Sequence, residues 1–113
     1  MQPTMQMQKY PSVFVAGQLT GVEGYIESAS NGLVAGINLA RFVKGQEAVV
    51  FPPETAHGAL SHYITTALPE TFRPMNIAFG LLPPLTKRVR DRSLRNKQLT
   101  ERALELIMNY VNF

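Results

Sequence analysis

Three glycines, Gly17, Gly21 and Gly24, stand between a short apolar run and a helical pattern. A strand, a glycine-rich turn and a helix together make a unit that binds anions. Free N–H groups at the helix N-terminus point at the ligand, and the helix dipole favours its negative charge. Glycine lets the backbone come close to it. Spacing alone leaves two readings open, a phosphate-bearing cofactor and a tight connection with no ligand.

A second group of residues carries charge. Six of the eleven Lys and Arg residues, Lys87, Arg88, Arg90, Arg92, Arg95 and Lys97, fall between positions 87 and 97, with Asp91 the one acid among them. The net charge of +3 therefore understates how basic this end of the chain is. Such a cluster at the start of a helix can neutralise several phosphates and bind RNA with a strong salt dependence. A solvated rim is the alternative reading. No aromatic residue stands between 87 and 97, so the segment reads as a backbone binder without base stacking.

Other chemistries are excluded by what is missing. The chain has no cysteine, which removes disulfides, thiolate metal sites and a cysteine nucleophile together. His57 and His62 are the only histidines. Neither has carboxylates at ligand spacing or a visible partner to set its pKa, so no metal and no general base are expected. Glu27 reads as a solvated or capping carboxylate. No apolar run approaches the roughly 20 residues of a membrane span. Met1 to Gln8 lacks the pattern of a signal peptide, so a cytoplasmic location and no membrane partner are expected.

The elements that must position these groups suggest an α/β fold. Ser12 to Ala16 is apolar on both faces and reads as a buried strand of a parallel sheet. Tyr25, Ala29, Leu33, Gly36, Ile37 and Ala40 recur every three or four residues and predict the packed face of a helix. The capping-box spacing of Thr20 and Glu23 puts its start near Val22, and Lys44-Gly45 puts its end. Residues 49–85 hold six of the eight prolines. They contain a short helical pattern through Ala59, Leu60, Tyr63 and Ile64, then a wrapping loop from Phe72 to Leu85. Leu99, Ala103, Leu106 and Tyr110, with Leu104, Ile107 and Val111 beside them, mark a C-terminal helix. The chain thus divides into 1–44 (strand, turn and helix), 45–86 (proline-rich loop and short helix) and 87–113 (basic segment and last helix).

The residues themselves narrow the choice of ligand. Phe14-Val15-Ala16-Gly17-Gln18-Leu19-Thr20-Gly21-Val22-Glu23-Gly24-Tyr25-Ile26-Glu27-Ser28-Ala29, continuing to Gly36-Ile37-Asn38, closely resembles the C-terminal flavin motif of the folate- and FAD-dependent tRNA (uracil-5-)-methyltransferases, the TrmFO family. GidA-type tRNA-modifying flavoproteins share its Ala-Gly-Gln start, its Gly-Tyr-x-Glu middle and its end and differ in between, and the run Thr20 to Tyr25 sides with the methyltransferases. Pro52-Pro53-Glu54-Thr55-Ala56 and Phe72-Arg73-Pro74-Met75-Asn76-Ile77 resemble further blocks of that family, in the same order.

The resemblance implies the C-terminal part of a FAD-binding Rossmann-like domain. It implies an enzyme that methylates C5 of a T-loop uridine in tRNA, with methylenetetrahydrofolate as one-carbon donor, FAD as mediator and NAD(P)H as reductant. By motif match, Gly17, Gln18, Thr20, Gly21, Val22, Glu23, Gly24 and Tyr25 fall in the cofactor-binding turn. Gln18 takes the place where many related flavoenzymes have an aspartate. Tyr25 suits either a ligand contact or a core position.

The chain departs from the family in two ways. It contains no G-x-G-x-x-G turn for the adenosine half of FAD, and none of the cysteines the family uses in the reaction. The chain alone is expected to be inactive, with the missing N-terminal part of the enzyme, or an equivalent chain, as a partner. The alternative is a non-catalytic remnant that binds RNA or docks onto a larger enzyme.

Overall fold

The computed structural model describes residues 1–67, 70 and 72–110, without the side chain of Tyr110. Three helices carry the fold: α1 (Tyr25–Val43), α2 (Ala56–Thr66) and α3 (Arg92–Tyr110). Two single-turn 3-10 helices, Gln18–Thr20 and Phe79–Leu81, punctuate the connections. Val111, expected on the stripe of the last helix, lies outside the described residues.

The α/β expectation is overturned. Among the described residues there is no strand and no sheet, only two isolated bridges, Gln6 with Phe14 and Val22 with Met75. Ser12 to Ala16 is not a buried strand of a Rossmann-like domain: Val13 is exposed, and Phe14 and Ala16 are half-buried. The run folds back on the N-terminal residues instead. Met7 N–H donates to the Val13 carbonyl at 2.9 Å and Val15 N–H to the Met5 carbonyl at 3.0 Å. A central parallel strand needs a neighbour on each side. Here, among the described residues, the segment bridges only to the N-terminal residues and satisfies its backbone locally.

Helix α1 forms, but with a different face inward. Its buried residues are Glu27, Asn31, Val34, Ala35 and Asn38, whereas Tyr25, Ala29, Leu33, Gly36 and Ala40 are exposed. The inward face is polar because each polar group has a partner there, so its burial carries little penalty. Asn38, 0 % exposed, donates to the carbonyls of Thr4 at 3.2 Å and Val49 at 3.0 Å. Its Oδ1 accepts the Val49 N–H at 2.6 Å. One side chain thereby ties the N-terminal segment and the chain after α1 to the middle of the helix. The capping box does not form: Gly24 is the N-cap and no side chain caps it. The helix ends where expected, with Lys44 as C-cap and Gly45 at φ 72°.

The core is small. Met5, Val34, Ala35 and Phe51 form its buried centre, with Phe14, Ile37, Ile64 and Ile107 packed around it. Helix α2 lies where the sequence puts it. Thr55 caps it by accepting the Gly58 N–H at 3.1 Å, and Ala59 and Leu60 are buried. A side chain at Gly58 would run into the backbone carbonyl of Pro52, which is how the Pro52-Pro53 corner packs directly on the helix. On α3, Leu99 is buried and Ala103, Leu106 and Ile107 are half-buried, as the stripe predicts, while Leu104 is exposed.

Candidate functional site

The glycine-rich turn is built as a loop whose backbone L-residues rarely adopt. Gly17, Gly21 and Gly24 have φ of 85°, 106° and 99°, the left-handed region that glycine enters without steric cost. Their second reasons differ. A Cβ at Gly21 would strike the ring of Phe72, and one at Gly24 would strike the Glu27 carboxylate and Asn76, but one at Gly17 would meet open space. Two of the glycines serve packing; Gly17 leaves its outer side free.

Two residues one turn apart on α1 hold this loop. Asn31 Oδ1 accepts the Gly17 N–H at 2.8 Å and lies 3.1 Å from the Thr20 hydroxyl, fixing the start. Glu27 fixes the end through a second segment. Its Oε2 accepts the Ile77 N–H at 2.9 Å and the Asn76 carboxamide at 3.2 Å. Asn76 also donates to the Glu23 carbonyl at 2.8 Å. The Val22–Met75 bridge completes the clamp, Glu23 N–H to the Met75 carbonyl at 2.8 Å and Met75 N–H to the Gly21 carbonyl at 3.0 Å. The Ile77 N–H, then the N–H of Glu27 itself, hold this carboxyl below the ordinary 4.5, with Asn76 adding to them and burial opposing.

The residues expected at the cofactor divide between two sides. Thr20 and Val22 are buried and face inward, and Gly21 backs onto Phe72. Gln18, Glu23 and Gly24 are exposed. Tyr25 is 97 % exposed, so it belongs to no core within this chain. Leu19, 90 % exposed, and Ile26 stand out beside it; sequence reasoning passed over both. With no capping side chain, the N–H groups of Tyr25 and Ile26 are left for an external acceptor. The outer surface, formed by Gly17, Gln18, Leu19, Tyr25 and Ile26, can therefore present backbone donors and a carboxamide to an anionic or electron-rich group. Glu27 and Asn31 were missed as anchors. Their signal was the helical spacing of Glu27, Asn31 and Asn38, polar residues recurring among small and apolar ones.

The basic segment forms the wall of a groove of about 980 Å³ lined by Lys87, Arg88, Arg90, Arg92 and Arg95. Lys97 is exposed on α3 outside that lining. Asp91, the one acid of the run, is used as a cap: its Oδ1 accepts the Ser93 N–H at 3.1 Å. Arg92 and Arg95 stand in the first turn of α3, where the helix dipole disfavours positive charge. Arg102 ties the end of the proline-rich segment to α3 by donating to the carbonyls of Pro83 and Pro84.

A second, apolar cavity of about 440 Å³ adjoins the groove, bounded by His57, Ile77, Phe79, Leu82, Ala103 and Ile107. His57 has the partner that the sequence did not reveal, with Nδ1 2.5 Å from the Ser30 hydroxyl and its ring 5.4 Å from that of Phe51. Burial holds its pKa below the ordinary 6.5, with hydrogen bonding to Ser30 opposing. Among the described residues no three His, Asp or Glu side chains gather as a metal site would need, and no helix is long and apolar enough to cross a membrane.

Comparison with known proteins bears on the whole chain. A family model described as glucose inhibited division protein A matches residues 1–47. The methylenetetrahydrofolate--tRNA-(uracil-5-)-methyltransferase TrmFO of Desulforamulus reducens is 53% identical over 111 residues, covering 98% of this chain and 25% of that protein. Its namesake in Moorella thermoacetica is 59% identical over 106 residues, covering 94% of this chain and 24% of that protein. The one from Desulforudis audaxviator is 61% identical over 104 residues, covering 91% and 24%. The chain thus spans about a quarter of the length of these relatives. Identity above one half over nearly the whole chain makes it a member of the TrmFO family, matching the C-terminal part of its relatives.

Proposed function

We propose that this chain supplies the flavin-side turn and an RNA-facing basic surface to a folate- and FAD-dependent tRNA (uracil-5-)-methyltransferase. The adenosine-binding turn and the cysteines come from the other three quarters of the relatives' length. FAD bound at this turn would mediate reduction of the one-carbon unit that methylenetetrahydrofolate donates to C5 of a T-loop uridine, with NAD(P)H as the reductant. The residues present suit that cofactor. Gly17 opens the backbone to close approach, the uncapped start of α1 offers N–H groups and its positive dipole end, and the exposed Gln18 can hold a hydroxyl without adding charge.

One observation carries this reading: apolar residues stand uncovered along the whole length of α1. Tyr25, Ile26, Leu33, Leu39, Phe42 and Val43 are all exposed, with Leu19 just ahead of them. A patch of this kind marks an interface, and here it runs up to the glycine turn itself. The segment that covers it is the remainder of the flavoenzyme. The basic groove supports the second half of the proposal, since five cations facing one groove suit the phosphates of tRNA.

The test is reconstitution. The Moorella thermoacetica relative, truncated to lack its matching segment, is coexpressed with this chain and supplied with methylenetetrahydrofolate, NAD(P)H and unmodified tRNA. Methyl transfer to C5 of a T-loop uridine is expected from the pair and from neither piece alone. A pair that copurifies and carries FAD but leaves tRNA unmethylated would sink the assignment.

A further inference from the structure

The sequence places no aromatic residue within the basic run, but the fold brings one to it. Phe79 lines both the basic groove and the apolar cavity, and Ala78 and Leu82 are likewise shared by the two. The two spaces are therefore one cleft with an apolar end and a cationic end, joined at Phe79. Phe79 is 45 % exposed, an apolar surface beside five cations. Its backbone is set by a tight turn, with Leu81 N–H donating to the Ala78 carbonyl at 3.0 Å and Leu82 N–H to the Phe79 carbonyl at 3.1 Å. Just beyond, Arg102 holds the carbonyls of Pro83 and Pro84.

An exposed aromatic residue at the edge of a cationic groove is the arrangement that single-stranded nucleic acid recognises, with phosphates on the cations and a base on the aromatic face. An RNA duplex cannot use it, because paired bases are stacked inside the helix, whereas a loop base can be splayed out. We propose that Phe79 is a stacking platform for one unpaired tRNA base whose flanking phosphates lie on Arg88, Arg90, Arg92 and Arg95. The inference rests on the RNA-facing reading of the basic segment and adds a residue and a form of RNA to it. The apolar cavity behind Phe79 then takes the edge of the stacked base, and discrimination between loop and stem arises at this residue. The arginines bind both.

The test uses the 113-residue chain, a tRNA T-arm stem-loop and a blunt duplex of the same stem, with affinities measured across a range of salt. Phe79→Ala should weaken stem-loop binding about tenfold, leave the salt slope unchanged and leave duplex binding unchanged. Phe79→Trp should restore binding. The chain contains no tryptophan, so that single indole also reports directly, and its fluorescence should be quenched by the stem-loop and not by the duplex. Stem-loop affinity unaffected by Phe79→Ala, or indole fluorescence indifferent to the stem-loop, would overturn the stacking role. The triple change of Arg88, Arg90 and Arg92 to Ala separates the two levels. If it alters neither affinity nor salt slope, the RNA-facing reading itself falls.

Discussion

Replacing Asn38 with alanine should cost this fold more than any other change of one polar side chain. Asn38 is wholly buried and serves three backbone groups, the N–H and carbonyl of Val49 and the carbonyl of Thr4. Alanine leaves all three without this partner, at a position shut off from solvent. A buried polar group left unsatisfied costs about 1–3 kcal/mol. The N–H bears the full penalty, and the carbonyls less because each has a second lone pair. The sum is roughly 3–5 kcal/mol, a large share of the 5–15 kcal/mol or so available to a domain of this size. With a urea dependence of about 1–3 kcal/mol per molar, the midpoint should fall by roughly 2 M, read by circular dichroism at the helical band. Asn38→Asp separates hydrogen bonding from volume. The new carboxylate still accepts from Val49 N–H but faces two carbonyls, so at neutral pH it should destabilise at least as much as alanine. Acidification should recover part of the loss, because a protonated carboxyl can donate to one of them. A loss under about 1 kcal/mol for Asn38→Ala would refute the reasoning that this residue ties the fold together.

Three further expectations follow from the site. Glu27 has its pKa lowered in the fold, so its contribution is complete above the ordinary carboxylate value and is lost as pH falls through the lowered one. Protection of the Ile77 amide relative to its intrinsic exchange rate should fall over that acid range, and Glu27→Ala should lower it at all pH; protection that does not change with pH in the parent chain would contradict the clamp. His57 also titrates low in the fold. The unfolded chain therefore takes up the proton first, and stability should decline as pH drops below about 6.5; His57→Gln should flatten that decline in a urea series. Gly58→Ala should destabilise by about 1–3 kcal/mol or more, since the added methyl overlaps the Pro52 backbone, and an unchanged melting temperature would show that the corner can move aside.

Much of the local structure was legible. The stripe of α2, the stop at Lys44-Gly45 and the apolar positions of α3 are set by short-range rules of capping and periodicity. The glycine turn was legible for the same reason, because left-handed backbone selects glycine. The strand was not. Ser12 to Ala16 has β-forming residues, but a sheet strand exists only through its neighbours, and among the described residues it meets one isolated bridge, from Gln6 to Phe14. The register of α1 failed for a related reason. Apolar periodicity weighs only apolar positions, whereas Asn31 and Asn38 decide which face turns inward, through partners far away in sequence. Phe79 escaped because its place in the basic groove depends on the path of the proline-rich loop, which periodicity does not describe. The blocks that resemble the TrmFO family were readable directly, and identity along nearly the whole chain bears them out.

The central claim is that this turn is one side of a flavin site whose other side lies in the rest of the enzyme. Visible flavin absorbance tests it most directly, measured after FAD is offered to the chain alone and to the chain together with the truncated Moorella thermoacetica relative. The chain alone should remain colourless and the pair should retain FAD in a one-to-one ratio. Stoichiometric flavin on the isolated chain, or a stable pair that stays colourless, would contradict it.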